Sequence, residues 1–199
     1  MDKQVIIAIS REYGSAGHEI AEKVARDLGL KLYDRNMLDD ISKDKDIHVE
    51  YLEKYDEKPK KLFSSRRVGA YTNSIEEIIA EMQFDYLREK ADTGESFVIV
   101  GRCAETVLKD RKGLISVFIL GNYEVKLKRI MDKYHLSETD AATKIKRHDK
   151  HRKQYHNHYS DGKWGDSRLY DLCINSSHLG IDKTAIIIKD YIKEIMDTL

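Results

Sequence analysis

The sequence predicts an α/β fold built on a parallel sheet. Two kinds of segment alternate along its 199 residues. Short apolar runs rich in β-branched residues (Val5–Ser10, Phe97–Val100, Leu114–Leu120) read as strands buried on both faces, the pattern of a parallel sheet. Between them lie longer stretches whose apolar residues recur every three or four positions, the period of a helix packed on one side.

Each element follows in order. Val5–Ser10 is the first strand, and Arg11–Gly17 is a loop containing Gly14, Ser15 and Gly17. A helix starts there, with Ile20, Val24 and Leu28 on one face and Gly29 as its stop. Leu30–Tyr33 fits a short second strand. Asp34–Lys58 reads as an acidic helical stretch, and Pro59–Asn73 as a polar, basic and mobile one. Ile75, Ile78, Ile79, Met82, Tyr86 and Leu87 form a second helical stripe. Phe97–Val100 is a strand ending at Gly101. Leu114–Leu120 is a strand, followed by a helix through Val125, Ile130 and Met131. A long helix spans Ser137 to about His158, with Ser137 and Asp140 as a capping pair. Gly162–Asp166 breaks it, Leu172–Ile174 is a last short strand, and Asp182–Leu199 closes the chain as a helix. The length suits a single domain over 1–199.

Composition excludes several functions. Thirty-five Lys and Arg balance 35 Asp and Glu, so the formal charge is zero. A non-specific polyanion binder carries a basic excess instead, so nucleic acid is not the expected partner. With 41% hydrophobic residues and a single proline, the chain is not a disordered polyampholyte. No apolar run approaches the roughly 20 residues of a membrane-spanning helix. The N-terminal run is too short, and lacks the following cleavage site, for a signal peptide. Cys103 and Cys173 form no disulfide framework, which points to a reducing cytoplasm. Twelve tyrosines against four phenylalanines suit a protein with half-wet clefts, and equally suit ordinary surface packing.

The charges are unevenly placed. Residues 34–58 hold nine acids and five bases, a net −4, while 141–168 hold eight bases and three acids, a net +5 before any of its four histidines charges.

Three segments carry chemistry. Ser10–Glu19 joins a buried strand to a helix, the context of a phosphate-binding loop. There small residues let backbone N–H groups close on phosphate oxygens, and the helix N-terminus adds partial positive charge. The pattern G-x-x-x-x-G-K-[ST] is not met: Glu12 stands at the first glycine, Gly17 at the second, His18 at the lysine and Glu19 at the Ser/Thr. Neutral imidazole cannot supply the lysine's charge, so Arg11 is the expected substitute, and Glu19 fits beside a polyphosphate only with Mg²⁺ between them. The turn after Phe97–Val100 places Gly101 and Arg102 at a strand's C-terminal end, where open α/β sheets bind ligands and an Arg fork can grip phosphate or carboxylate. The long helix carries Ala141, Ile145, His148, Arg152, Tyr155 and Tyr159 at helical spacing, with Asp149 three residues before Arg152 and able to pair with it. His148 and His151, with His156 and His158, lack the acidic or thiolate companions of a metal site. Tyr155, Tyr159 and Trp164 among bases fit single-strand binding, but the acidic stretch and the neutral total count against it.

Together these segments resemble the cytidylate kinase-like family, a branch of the P-loop nucleoside monophosphate kinases. The matching residues are Ile9–Ala21, Tyr33-Asp34-Arg35, Val98–Ala104, Asp149-x-x-Arg152 with Tyr155, Trp164-Gly165-Asp166, and Tyr170-Asp171-Leu172 through Ile174–Ser177. The resemblance implies a three-layer P-loop NTPase-type fold with a five-stranded parallel sheet ordered 2-3-1-4-5. It also implies a helical acceptor-binding insert at about 34–92 and a helical lid at about 135–168. The implied reaction moves the γ-phosphoryl group of ATP to CMP or dCMP with Mg²⁺. By the same resemblance Gly14, Ser15, Ala16, Gly17, His18 and Glu19 would cradle the donor, with Glu19 toward Mg²⁺. Asp34, Arg35, Gly101 and Arg102 would hold the acceptor. Arg11, His18, Arg147 and Arg152 would serve the transfer, with Asp149 orienting Arg152. Two departures from true cytidylate kinases stand out: His18 replaces the loop lysine, and Cys103 replaces an aspartate after Gly-Arg. Two other readings compete: a nucleotide-binding regulatory module without turnover, and a kinase for a different small metabolite.

Overall fold

The computed structural model describes residues 4–45, 50, 67–68, 71–72 and 75–198. Five strands form one parallel sheet: β1 (Ile6–Arg11), β2 (Lys31–Tyr33), β5 (Phe97–Val100), β6 (Leu114–Leu120) and β7 (Leu172–Asn175), in the order β2-β5-β1-β6-β7. Counted along the chain that order is 2-3-1-4-5. Strand β1, buried from Ile6 to Ser10, lies in the middle, with Ile9 paired to Val100 on one side and Val117 on the other. A separate pair, β3 (Arg67–Val68) and β4 (Tyr71–Thr72), is antiparallel.

Successive residues of a strand face opposite sides, and both sides are covered. Ile7, Ile9, Val98, Val100, Val117 and Ile119 pack under α1 (Gly17–Leu28) and the closing helix Gly180–Thr198. Ile6, Ala8, Phe97 and Ile99 pack under α2 (Met37–Lys45) and α3 (Ile75–Asp92). Each such side chain contributes about 1.5–3 kcal/mol when fully buried, so one sheet clamped by two helical layers dominates the stability.

The remaining helices are α4 (Ala104–Val107), α5 (Tyr123–Tyr134), α6 (Glu138–Tyr159) and α7 (Gly180–Thr198), with a 3₁₀ turn at Ser167–Leu169. The expected boundaries hold closely. Gly29 ends α1 at φ +67°, its N–H returning to Ala25 and Arg26 carbonyls. The Ser137 hydroxyl accepts from the Asp140 N–H, capping α6. Three points concern the other expected elements. The acidic stretch is helical at Met37–Lys45, and what was expected of 46–49 and 51–58 lies outside the described residues. So does the mobile stretch expected at 59–73, apart from the two short strands. The single turn α4 has too few residues to show a period.

Leu127 and Ile130 of α5 pack on Ala141 and Ile145 of α6. This pairing sets α6 against the C-terminal ends of the central strands, where ligands bind in such sheets.

Candidate active site

The loop between β1 and α1 is fixed by its backbone. Gly14 has φ +86° and Ala16 φ +64°. A Cβ on Gly14 would lie 3.0 Å from Lys126 Cβ, and one on Gly17 2.5 Å from Arg11 Cβ. Both glycines therefore answer to close approach. The Ser15 hydroxyl donates to the Glu12 carbonyl (2.8 Å), and the Ser176 hydroxyl donates to the Ser15 carbonyl (2.7 Å), which ties the loop to the end of β7. No side chain caps the N-terminus of α1, the end of a helix at which negative charge is favoured.

Glu12, at the position of the first glycine in the phosphate-loop pattern, has a structural task. Its Oε2 accepts from Lys126 Nζ (2.9 Å) and from the Gly121 N–H (3.1 Å). Lys126 is buried and also stands 3.9 Å from Asp149 Oδ2. One lysine of α5 thus joins the loop to α6.

His18 and Glu19 open α1. His18 Nε2–H donates to Asp34 Oδ2 at 2.6 Å. That bond raises the His18 pKa and lowers that of Asp34. Glu19 Oε1 accepts from both Arg129 and Lys133, each at 3.0 Å. Burial acts the other way, but its own N–H and these two cations hold the Glu19 carboxyl at about 2.

The turn after β5 is strained. Gly101, Arg102 and Cys103 have φ of +81°, +59° and +50° in succession. A non-glycine held in this region costs on the order of 1–3 kcal/mol, and such strain concentrates at functional sites. The turn aims Arg102, only 2% exposed, at the floor of a cavity of about 430 Å³. Arg11, Arg35, Lys144, Arg152, His148 and His151 also line that cavity, and among the described residues Asp34 is its one carboxylate. A second cavity of about 190 Å³ lies over Gly14–Glu19 and shares Arg11, Tyr13, His18, Tyr134 and Arg152 with the first.

Helix α6 covers both cavities. The Tyr13 and His148 rings stack 4.1 Å apart and 6° from parallel, and the Arg152 guanidinium sits 5.6 Å over Tyr13. Burial, then the cations Arg152, Arg147 and Lys144, push His148 down to about 4, so the stacked ring is neutral. The Tyr13 N–H donates to Asp149 Oδ1 at 2.7 Å, and Arg152 donates to the Arg11 carbonyl at 3.1 Å. Asp149 and Arg152 each bond the loop, while the Arg152 charge still acts on the Asp149 carboxyl.

The model of the cytidylate kinase-like family matches residues 6–178. The chain belongs to that family. An uncharacterized protein from Eubacterium ventriosum, in a crystal structure, is 40% identical to this cytidylate kinase-like chain. The match covers 96% of this chain and 99% of that one, with a TM-score of 0.75. Two shikimate kinases share its fold at low identity. That from Bacteroides thetaiotaomicron is 14% identical (TM-score 0.56, covering 95% and 98%), and that from Acinetobacter baumannii, in complex with shikimate, is 15% identical (TM-score 0.55, covering 97% and 95%). The sheet order and these neighbours make the fold that of a P-loop kinase. No curated protein matches the chain.

Of the residues singled out in the sequence of this cytidylate kinase-like chain, most converge. Arg11, Gly14, Ala16, Gly17, His18, Glu19, Asp34, Arg35, Arg102 and Arg152 line one or both cavities. Ser15 and Asp149 brace the loop, and Gly101 lines a separate small space together with Arg102 and His156. Arg147 is exposed and lines neither cavity. Lys144, a turn earlier on α6, takes the inward place. The four α6 histidines diverge: His148 and His151 face the larger cavity, His156 pairs with Glu105 (2.8 Å), and His158 with Glu77 (3.3 Å).

Sequence reading missed Lys126, Arg129, Lys133 and Tyr134. Arg129 and Lys133 are four apart, hence on one helix face, and that was the available signal. Among the described residues no group of three or more His, Cys, Asp or Glu converges as a metal site. Nor is any helix among them long and apolar enough to cross a membrane.

Proposed function

We propose that this chain transfers the γ-phosphoryl group of ATP to a small anionic acceptor, with CMP or dCMP the first candidates. The observation that carries the reading is the continuity of the two cavities. The glycine-bearing loop and the Arg-lined pocket share Arg11, His18 and Arg152, so a donor on one side and an acceptor on the other would meet between those cations. On this reading the backbone of Gly14–Glu19 cradles the donor phosphates. Arg102, with Arg35 and the Gly101 turn behind it, holds the acceptor's anionic group. Arg11 and Arg152 stand at the shared wall, with Lys144 inward of them, and neutralise charge as the phosphoryl group moves. Such transfer needs positioning and positive charge and no protein nucleophile. Residues 34–92 serve as the acceptor-side insert, and 135–168, built on α6, as the lid.

Mg²⁺ accompanies ATP in kinases of this kind, and its phosphates supply most ligands. Glu19 as placed does not fit a metal ligand, because Arg129 and Lys133 already neutralise it. Its role in this reading is to hold those two cations beside the loop.

A different acceptor is the second reading, and Cys103 favours it. A buried thiol among Ala80, Phe84 and Tyr155 stands where true cytidylate kinases have an aspartate, so that contact to the acceptor base is missing. A shikimate kinase on the same fold holds shikimate, and an Arg-lined pocket suits a small anionic metabolite as well as a nucleotide. The experiment is ADP release from Mg-ATP with a panel of nucleoside monophosphates and anionic metabolites. Release with CMP supports the first reading, and release only with a non-nucleotide supports the second. ATP binding without release for any acceptor would leave a nucleotide-binding module.

A further inference from the structure

We propose that Asp34 is a positioning residue of the donor loop, acting on bound ATP through His18 and not on the acceptor. The inference rests on the donor-site reading above and deepens it. Three observations carry it.

The first is where His18 stands. It occupies the lysine position of the phosphate-loop pattern and lines both cavities. Imidazole is shorter than a lysine side chain, and its two nitrogens differ. It serves as the loop's cation only if its ring is turned correctly and both nitrogens carry protons. Something must fix that orientation, as partner groups do for histidines that bind ligands elsewhere.

The second is the geometry of Asp34, at the C-terminal end of β2. Asp34 lines the larger cavity, yet both of its oxygens are already engaged, one by His18 and one by the turn that follows β2. Oδ2 accepts from His18 Nε2–H at 2.6 Å, and Oδ1 accepts from the Asn36 N–H at 2.8 Å. The side chain is 14% exposed, so turning to an acceptor would mean abandoning both bonds in a partly dry place. With Nε2 held, a ligand oxygen would reach Nδ1, in competition with the Glu22 carboxylate 3.6 Å from it.

The third is the charge around the ring. Glu22, one turn along α1, stands 3.6 Å from Nδ1 and is half exposed. Arg11 acts on the ring from β1, and Arg35 and Arg102 line the same larger cavity. Beside three guanidiniums a fourth cation is disfavoured, and Asp34 is the carboxylate bonded directly to the ring. The direction of the His18 shift, upward with the Asp34 bond as its first cause, agrees.

The test uses ATP alone, with no acceptor present. Dissociation constants for ATP, read by displacement of a fluorescent ATP analogue at pH 7, are compared in the parent, Asp34→Asn, His18→Lys and the double variant. Loss of a hydrogen bond to a charged group weakens binding roughly 10- to 100-fold, so Asp34→Asn is expected to fall in that range. His18→Lys binds at least as tightly as the parent. Adding Asp34→Asn to it changes ATP affinity less than threefold, because lysine needs no positioning partner. The His18 Nε2–H proton resonance, present in the parent, is lost in Asp34→Asn. An equal loss in both backgrounds overturns the proposal, since Asp34 then acts as general scaffolding. Unchanged ATP affinity in Asp34→Asn overturns it too, while leaving the donor site intact. A parent chain that binds no ATP overturns the donor-site reading itself, and this inference with it.

Discussion

Replacing Lys126 by Met should destabilise the chain by about 2 kcal/mol. The figure comes from the geometry around Nζ. Lys126 is 7% exposed, 2.9 Å from Glu12 Oε2 and 3.9 Å from Asp149 Oδ2. Removing one partner from a buried pair costs about 3–5 kcal/mol, because the other charge is left uncompensated. Two facts reduce it here. The Glu12 and Asp149 side chains keep 26% and 20% of their exposure, so water reaches them, and Glu12 retains the Gly121 N–H. Methionine also fills most of the lysine's apolar path. At about 2–4 °C per kcal/mol for a chain of this size, Tm falls by roughly 4–8 °C. Asp149, already raised by burial, loses a cation that lowers it and moves further up. Urea unfolding at pH 7 reads the stability. A second variant, Lys126→Met with Glu12→Gln, should recover part of the loss, since the pair is coupled. If Lys126→Met is as stable as the parent within about 0.5 kcal/mol, the lysine is a spectator and the loop is held to α6 by other contacts.

Gly17→Ala should destabilise by about 1–3 kcal/mol, because the new Cβ falls 2.5 Å from Arg11 Cβ; thermal unfolding checks it, and the displaced Arg11 should weaken ATP binding too. Acid unfolding should show two losses. Glu19 stabilises the fold above its ordinary carboxylate range and loses this as pH falls toward about 2, so Glu19→Gln should flatten the stability profile below about pH 4.5. The His18–Asp34 pair is bounded on both sides. The raised His18 pKa gives stability that is lost as pH rises through it, and the lowered Asp34 pKa gives stability that is lost as pH falls through it. Urea midpoints should therefore drop at both ends in the parent, and the alkaline drop should vanish in His18→Gln. Arg102→Ala should abolish acceptor-dependent ADP release while leaving ATP affinity within a few-fold, as enzyme kinetics and direct binding can separate.

Much of this fold was legible because its signals are local. Val5–Ser10 and Leu114–Leu120 are apolar but for Ser10 and Ser116, and such a run suits a strand covered on both faces. Gly29 and Ser137 mark helix ends through their own backbone and side-chain chemistry. The strand order came through the resemblance, since no strand's composition states its neighbours. The site was legible where glycine and arginine sit at strand ends, as at Gly14, Gly17 and Arg102. It was illegible where a residue's partner lies far along the chain. Glu12 looks like a defect in a phosphate loop until Lys126, 114 residues on, is seen to hold it. Asp149 and Arg152 look like no more than a helical pair until the Tyr13 N–H and the Arg11 carbonyl, both more than 130 residues away, are seen to bond them. His18 looks like a lost cation until Asp34 is found beside it.

The central claim is that the two joined cavities carry phosphoryl transfer. Its most direct measurement is ADP formation from Mg-ATP in the presence of CMP, dCMP, other nucleoside monophosphates and small anionic alcohols, each compared with ATP alone. The account predicts ADP above the ATP-only background with at least one acceptor, and loss of that signal in Arg102→Ala. ADP no greater than background with every acceptor, from a folded chain that binds ATP, would contradict it.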